Sequence, residues 1–347
     1  MSEMQMLALR KINEGSGAEL VHTAVPRPGP DDVLVKVDIA AICGSDVPLY
    51  QRPVAAEDNL RIPLTLGHEF SGTVVERGAN VSALKPGDRV SGETHYPCGS
   101  CYQCTTGEPH ICANLKLVGR QIDGCFAEYC TLPQICARKV PQSLAPHQAA
   151  LLEPLGVAVH AITEAQVWGN PVAILGIGPI GAMAVAVATH MGATRVFATS
   201  RTPAKLQIAL EMGATRALNP NSEDVVREVL DETNGVGVGA VIDLTGDSVA
   251  VDQGFRMLRK GGRLVFVAAI AGPMVLDMRQ HILWKEAKVS GIHGRRMFET
   301  WHLAEDLVAS GKVDLDRMMG ETYPLSEAKA AFHAAKAGSI GRVFLKP

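Results

Sequence analysis

The chain has 347 residues, of which 47% are hydrophobic and 20% charged, and its formal net charge is -3. A single hydrophobic core stops growing at about 250–300 residues, so this length predicts two domains. The small net charge offers no electrostatic footprint for nucleic acid or an anionic membrane, and no apolar run reaches the roughly 20 residues of a membrane span.

The first 150 residues have the pattern of short strands and loops. β-Branched runs at 33–37 and 72–75 are bounded by Gly, Pro and Asp, which is typical of strands. We therefore expect this part of the chain to form an all-β domain.

Four cysteines follow one another at gaps of two, two and seven residues: Cys98, Cys101, Cys104 and Cys112. Tetrahedral zinc accepts four thiolates at about 2.3 Å, so the spacing predicts a zinc site. The alternative is a set of disulfides. Residues 1–10 have no signal-peptide core, which predicts a cytoplasmic protein, and a reducing compartment favours the metal. Four thiolates fill the coordination shell, so we expect this ion to hold a loop rather than bind substrate.

From Pro171 onward the pattern changes to alternating strands and helices. A continuous apolar run at 172–175 predicts a buried strand, and a helix is predicted at 182–190. Further elements follow at 195–199 (strand), 204–211 (helix), 240–244 (strand) and 263–267 (strand). This alternation predicts a doubly wound parallel sheet, the Rossmann architecture. A last apolar strand at 342–345 can return to the first domain.

A glycine turn, Gly176, Gly178 and Gly181, lies between the first strand of the second domain and its helix. In this context the G-x-G-x-x-G pattern indicates a dinucleotide site, because the pyrophosphate binds at the turn and the helix N-terminus; a merely structural turn is the alternative.

NAD-binding domains place a carboxylate about 20 residues further on. This chain has Ser200 and Arg201 there, which favours NADP over NAD, against the alternative of a solvated surface arginine.

Cys43, His68 and Glu153 are candidate ligands of a second, catalytic zinc ion. A lone Cys or His is usually an ordinary buried residue. Glu153, however, is a carboxylate in an apolar run, where charge is costly unless it is paired or metal-bound. The three side chains form an acceptable ligand set that leaves a fourth position for water or substrate. Glu69 points away from His68 in an extended chain, so it either supports the ligands or exchanges with water as a ligand.

Together these motifs make the chain similar to the zinc-dependent medium-chain alcohol dehydrogenases over essentially its whole length. Besides the four cysteines and the glycine turn, the matching segments are 43–46, 67–69, 85–90, 124–129 and 153–154. Segments 91–95 and 293–301 resemble the L-threonine 3-dehydrogenases, and Glu153 as a ligand is shared with sorbitol-type polyol dehydrogenases.

The resemblance implies an α/β chain with two domains. An all-β, GroES-like catalytic domain would comprise residues 1–157 and 298–347, and a Rossmann domain would comprise residues 158–297. The resemblance also implies two zinc ions per chain, one catalytic and one structural, and assembly into a homodimer or homotetramer. The partners would be a small-molecule alcohol or ketone, with no nucleic acid and no membrane.

The implied reaction transfers hydride between a small polar secondary alcohol and NADP or NAD. The alcohol would be a polyol or a 3-hydroxy amino acid such as L-threonine, bound through its hydroxyl to the zinc held by Cys43, His68 and Glu153. Ser45 would accept the proton first and pass it toward a ribose hydroxyl; an ordinary loop serine is the alternative. Pro48 replaces the relay histidine of threonine dehydrogenases, which argues against L-threonine and leaves His95 or bulk water as the next acceptor.

A catalytically silent zinc- and NADP(H)-binding protein, with a structural or redox-responsive role, is the competing class. Two zinc ions per chain would fit the enzyme and one would fit the silent binder.

His293 either lines the nicotinamide pocket or is an ordinary strand-end histidine. The predicted catalytic residues are Cys43, Ser45, His68, Glu69 and Glu153. The predicted cofactor-binding residues are Gly176, Gly178, Pro179, Ile180, Gly181, Ser200, Arg201, Lys205, Val267 and His293.

Overall fold

A computed structural model describes residues 4–55, 58–270, 272–338 and 340–347. The chain folds into two compact units, one of Met1–Glu153 with Met318–Pro347 and the other of Pro154–Arg317. Residues 298–317, which the sequence assigned to the first domain, thus cluster with the second unit. Thr300 of this segment packs near Gly156 in the second unit. A Cβ added to Gly156 would lie 3.6 Å from Oγ1 of Thr300 and 2.3 Å from Cδ of Arg295.

Strands dominate the first unit, and strands alternate with helices in the second. The strands are β1 (Gln5–Lys11), β2 (Glu19–Ala24), β3 (Asp32–Ala41), β4 (Leu64–Thr65), β5 (Glu69–Arg77), β6 (Arg89–Gly92), β7 (His95–Tyr96), β8 (Lys116–Leu117), β9 (Tyr129–Pro133), β10 (Ala137–Lys139), β11 (Pro171–Leu175), β12 (Arg195–Thr199), β13 (Arg216–Leu218), β14 (Val238–Asp243), β15 (Leu258–Phe266), β16 (Lys288–Gly291), β17 (Met319–Pro324) and β18 (Arg342–Lys346). The α-helices are α1 (Asp46–Gln51), α2 (Tyr102–Thr105), α3 (Pro146–Ala165), α4 (Pro179–His190), α5 (Pro203–Glu211), α6 (Val225–Glu232), α7 (Ser248–Met257), α8 (Glu299–Ala309) and α9 (Ala328–Ala337).

The main sheet of the first unit has the strand order β10-β6-β5-β3-β18-β17, and β9 also pairs with β3. Two smaller sheets have the orders β2-β1-β4 and β7-β8. Val33, Val35 and Val37 of β3 are buried in a core that also contains Phe70 and Phe126. The β-branched run that predicted a strand thus supplies the interior of the sheet.

The last strand of the chain returns to this sheet, as predicted. β18 pairs antiparallel with β3, with Phe344 opposite Ala41. The backbone N–H of Ile42 continues the ladder by donating to the carbonyl of Val343 at 2.9 Å. The C-terminal segment therefore lies beside the residues that follow β3.

The second unit contains a six-stranded parallel sheet in the order β13-β12-β11-β14-β15-β16. This is the doubly wound order 3-2-1-4-5-6, so the Rossmann prediction is confirmed. All six residues of β14 are buried, as expected for a central parallel strand with both faces covered. Phe197 and Phe255 pack into the same core.

The predicted elements of this unit differ from the structure mainly at their ends. Helix α4 begins at Pro179 instead of 182, because proline fits the first helical position, where its missing N–H costs nothing. β15 begins at Leu258 instead of 263, and its pairing with β14 shifts register between Val238 and Ala240. Within the described parts of the chain, no helix combines the length and the low polarity that crossing a membrane requires.

Candidate active site and metal centres

Pairing of β3 with β5 brings Cys43, His68 and Glu69 together. Ala41, at the end of β3, lies opposite Glu69, at the start of β5. Cys43 follows β3 by two residues and His68 precedes β5 by one, so both lie at the same edge of the sheet. One ligand atom from each of the three residues lies within 4.8 Å of the others, and Glu69 is fully buried. Thiolate, imidazole and carboxylate at this separation fit a zinc ion.

Asp46 supports this cluster, although the sequence assigned it no role. Its Oδ2 accepts the Cys43 backbone N–H at 3.0 Å, and its Oδ1 lies 3.4 Å from Nδ1 of His68. A histidine held by a carboxylate through Nδ1 presents Nε2 to a metal. Asp46 is only 1% exposed, three residues after Cys43 in the segment 43–46. That short spacing was the available signal, because a loop carboxylate can bond back to the residue three positions earlier.

Arg342 is the second supporting residue that the sequence did not reveal. Its Nη2 donates to Oε1 of Glu69 at 2.7 Å and lies 4.0 Å from Sγ of Cys43. Both partners of this ion pair are buried. The other carboxylate oxygen, Oε2 of Glu69, is buried and has no hydrogen-bond partner within the described parts of the chain. Glu69 therefore has one oxygen paired with Arg342 and one oxygen available to a cation.

Neighbouring charges set the protonation of the cluster. Burial raises the pKa of Cys43, but the charges of Arg342 and His68 outweigh it and lower this pKa to about 6. Burial lowers the pKa of His68, and Asp46 and Cys43 together raise it well above its usual value. Burial, assisted by Cys43 and Glu153, raises the pKa of Glu69 well above its usual value. A thiol that ionises this easily is suited to metal binding, which requires the thiolate.

Glu153 lies near the cluster but outside the group of ligand atoms within 4.8 Å of one another. It is buried in α3 and accepts a hydrogen bond from the hydroxyl of Thr94. Its charge acts on Glu69 and Arg342. The structure thus brings three of the four predicted residues into one cluster, and Glu153 as a ligand stays a prediction.

The two proton-relay candidates have different surroundings. His95 is buried, and its Nδ1 lies 2.8 Å from Oε1 of the fully buried Glu93, which also accepts the His95 backbone N–H at 2.8 Å. Ser45 is half-buried at the N-terminus of α1, and its hydroxyl makes no capping hydrogen bond there. Their roles in proton transfer stay predictions.

The four-cysteine lobe has the dimensions of a tetrathiolate site. Sγ of Cys101 lies 3.5 Å from that of Cys104 and 3.6 Å from that of Cys112, and all four sulfurs lie within 4.8 Å of one another. A zinc tetrahedron with bonds of about 2.3 Å has edges of about 3.8 Å. The backbone N–H groups of Cys98 and Asn114 donate to Sγ of Cys112 at 3.3 and 3.2 Å. The set of four sulfurs fits a structural zinc ion.

Without a cation, two thiols of this lobe, Cys98 and Cys104, have very different pKa values. Backbone N–H donors from Ser100 and Cys101 lower the pKa of Cys98 to about 5. Burial and the neighbouring thiol of Cys101 raise the pKa of Cys104 to about 12. Because a cation favours four thiolates at once, zinc binding would release the proton of Cys104.

The glycine turn opens onto a cavity of about 520 Å³ at the carboxyl ends of β11, β12 and β14. Gly176 needs its glycine, since its φ is 93° and an added Cβ would lie 2.8 Å from Cγ2 of Thr245. A Cβ on Gly181 would lie 2.2 Å from the carbonyl oxygen of Gly176, so the helix packs closely on the turn. A Cβ on Gly178 would meet nothing within 4 Å. The space in front of Gly178 thus suits a pyrophosphate, as the motif requires.

The predicted cofactor-binding residues divide into two groups. Those that line the cavity are Gly176, Gly178, Ser200, Arg201 and Lys205. Arg201 and Lys205 form no ion pair with any residue that the structure describes, so both cations are available to an anion. The remaining residues, Pro179, Ile180, Gly181, Val267 and His293, are not among the described residues that line the cavity, and their contacts with a cofactor stay predictions.

Two protein families and several known proteins match this chain. The zinc-binding dehydrogenase family matches residues 179–310, and the alcohol dehydrogenase GroES-like domain matches residues 29–142. The L-threonine 3-dehydrogenase of Caldanaerobacter subterraneus is 38% identical over 347 residues, with 99% of each chain covered, and that of Bacillus subtilis is 38% identical over all of both chains. A crystallised protein assigned as a zinc-binding dehydrogenase from Sinorhizobium meliloti 1021, bound to NADP, has a TM-score of 0.92 at 34% identity, covering 99% of this chain and all of its own.

Asp46→Ala tests the support of the Cys43–His68 pair. The change removes the acceptor for the Cys43 N–H and the carboxylate beside His68, so we expect zinc affinity at this site to fall about 10- to 100-fold. Competition with a chromogenic chelator measures it. Asp38→Ala, a change of the half-buried Asp38 on β3 that leaves both of these contacts intact, serves as the matched control. Equal zinc affinities in the two variants would contradict the assignment.

Proposed function

Because the chain belongs to the zinc-dependent medium-chain dehydrogenases, we propose that it interconverts a small polar secondary alcohol and its ketone, with NADP as the hydride acceptor. Membership makes the chain an NAD(P)-dependent oxidoreductase with zinc as cofactor. The observation that carries the proposal is the cluster of Cys43, His68 and Glu69. It is separate from the tetrathiolate lobe, and a silent zinc protein has no need of this second ligand set.

Each residue of the cluster has a specific task in the proposed reaction. A bound zinc ion supplies a Lewis acid that lowers the pKa of the substrate hydroxyl, and the nicotinamide supplies the hydride acceptor. Cys43 and His68 would hold this ion, with Glu153 as the proposed third ligand. Ser45 takes the hydroxyl proton, so that the alcohol loses one proton and one hydride and becomes a ketone. Glu69, anchored on Arg342 through one oxygen, would offer its second oxygen to the same ion.

The proposed substrates are polyols and 3-hydroxy amino acids. Relatives named L-threonine 3-dehydrogenase support the second class. Pro48 has no group that carries a proton, so a relay along α1 stops at Ser45. We propose His95, fixed through Nδ1 by Glu93, as the alternative proton carrier.

Cys43→Ser tests the catalytic assignment against a panel of polyols, 3-hydroxy amino acids and simple secondary alcohols, each with NAD and NADP. The wild type should oxidise at least one secondary alcohol. The variant should lose turnover by at least about 1,000-fold, because the catalytic ion loses its thiolate, while dinucleotide binding stays unchanged. Cys130→Ser, at a buried cysteine outside both metal clusters, is the control. Undiminished turnover in Cys43→Ser would refute the site.

The preference for NADP rests on the cations beside the second strand of the parallel sheet. Ser200, Arg201 and Lys205 line the cavity where β12 ends. A 2′-phosphate there would meet two cations that have no ion pair within the described parts of the chain. The solved structure with bound NADP, at 34% identity, supports this preference.

Arg201→Ala should weaken NADPH binding about tenfold or more, because a charge-assisted hydrogen bond contributes about 1.5–3 kcal/mol. NADH binding should change less than about twofold, since the 2′-hydroxyl carries no charge. Nucleotide fluorescence titration measures both dissociation constants. Arg227→Ala, which removes an exposed arginine of α6, is the control. An equal loss for both nucleotides would refute the assignment.

We further propose that the chain works as a cytoplasmic homo-oligomer. None of the eight cysteines, all of which lie in the described parts of the chain, forms a disulfide, which supports a reducing compartment. β16 is an edge strand of the parallel sheet. Its own residue Val289 is 41% exposed, and the preceding residues Leu283 and Trp284 are 72% and 58% exposed. An open edge flanked by large apolar side chains favours pairing with a second copy of the chain.

Trp284→Arg tests this association by light scattering after gel filtration. The wild type should have at least twice the mass of one chain, and the variant should shift toward the monomer because a charge replaces an apolar contact. Trp168→Arg is the control, because this tryptophan is 81% exposed and lies away from β16 in the sequence. This variant should keep the wild-type mass. A monomeric wild type would contradict the proposal.

A further inference from the structure

Glu153 lies in an apolar stretch of helix α3. Residues 149–152 and Leu155 around it are apolar and fully buried, and Glu153 itself is 5% exposed. A carboxylate in such surroundings needs polar partners, because an unpaired charge is costly there. The hydroxyl of Thr94 is one such partner, and it donates to Oε1 of Glu153.

A second hydroxyl joins the start of α3 to the main sheet of the first unit. Ser71 of β5 is fully buried, and its Oγ donates at 2.8 Å to the carbonyl oxygen of Pro146, the first residue of α3. Seven residues separate Pro146 from Glu153, which is close to two helical turns, so both lie on one face of α3. The hydrogen bonds from Ser71 and Thr94 therefore restrain the rotation of α3 about its axis.

This face of α3 packs on the side of β5 that carries Glu69. Ser71 follows Glu69 by two residues, and alternate residues of a strand share one face of the sheet. Glu69 belongs to the cluster with Cys43 and His68. The charge of Glu153 acts on Glu69, so the carboxylate of Glu153 lies within electrostatic reach of the cluster.

The main chain around Thr94 is held by several hydrogen bonds. Thr94 is 8% exposed, and its carbonyl oxygen accepts the Val118 N–H at 3.0 Å. On one side of it, the Glu93 N–H donates to the carbonyl oxygen of Cys136 at 2.7 Å. On the other side, the His95 N–H donates to Oε1 of Glu93 at 2.8 Å. The Thr94 hydroxyl is therefore a donor in a fixed place.

We propose that Thr94 is a positioning residue for Glu153, whose carboxylate it holds through Oε1 in the orientation that presents it to the catalytic metal ion. The inference rests on the proposed role of Glu153 as the third ligand. A carboxylate that accepts a hydrogen bond at one oxygen can bind a metal through the other, and a carboxylate that is already ordered loses less entropy when the ion binds. Thr94 acts on the ion only through Glu153.

Thr94→Val tests this proposal, because it removes the hydroxyl at nearly constant volume. Zinc affinity at the catalytic site, measured by competition with a chromogenic chelator, should fall about 10- to 100-fold. Thr94→Ser keeps the hydroxyl and should restore most of this affinity. The zinc ion of the four-cysteine lobe should stay bound in both variants, which reports that the unit is folded. Thr94→Ala removes the same hydroxyl and replaces Thr94→Val if that variant folds poorly.

Glu153→Gln separates positioning from a general effect on the fold. The double variant Thr94→Val/Glu153→Gln should bind zinc within about twofold of Glu153→Gln alone, because both changes break one bond. The visible spectrum of the cobalt-substituted protein is a second readout, since it reports the geometry of the ligands. Thr94→Val should shift its bands in the same direction as Glu153→Gln. Thr73→Val, which removes a half-buried hydroxyl of β5 that donates to Asp38, is the matched control and should bind zinc like the wild type.

Unchanged zinc affinity in Thr94→Val, together with weaker binding in Glu153→Gln, would overturn the proposal. Losses that multiply in the double variant would also overturn it, because Thr94 would then act without Glu153. Unchanged zinc affinity in Glu153→Gln would instead refute the proposed ligand role of Glu153, so the two failures are distinguishable.

Discussion

Ala41 lies opposite Glu69 in the antiparallel pair of β3 and β5, and the candidate active site depends on this register. A slip of one residue would turn every side chain of one strand to the other face of the sheet, so Glu69 would no longer point toward Cys43. The hydrophobic core under β3 prevents such a slip, because Val33, Val35 and Val37 would lose their places in it. The packing of the sheet thus sets the geometry of a metal site.

Buried charge explains why the site requires a third strand. Glu69 is fully buried, and a buried carboxylate costs several kcal/mol unless it is paired. β18 places Arg342 2.7 Å from that carboxylate and 4.0 Å from the Cys43 sulfur. The same guanidinium lowers the pKa of Cys43 and stabilises the thiolate that a metal needs. Cys43, Glu69 and Arg342, which are far apart in the sequence, therefore form one electrostatic unit.

The sequence predicted the candidate zinc ligands and the glycine turn, but it did not reveal Asp46 and Arg342, which support the cluster of Cys43, His68 and Glu69. Cys98 to Cys112 and the glycine turn are short motifs whose spacing determines their geometry, so both could be located from the residues alone. Arg342 lies 273 residues from Glu69, and no periodicity connects them. Residues 298–317 cluster with the second unit for a similar reason, since the packing of Thr300 and Arg295 on Gly156 has no local signal.

The cluster built by β3, β5 and β18 implies a second metal ion in each chain. Crystal diffraction recorded on both sides of the zinc absorption edge would locate both ions. We expect two anomalous peaks per chain, one among the four sulfurs of the lobe and one within bonding distance of Cys43 Sγ and His68 Nε2. A single peak, in the lobe alone, would contradict the account.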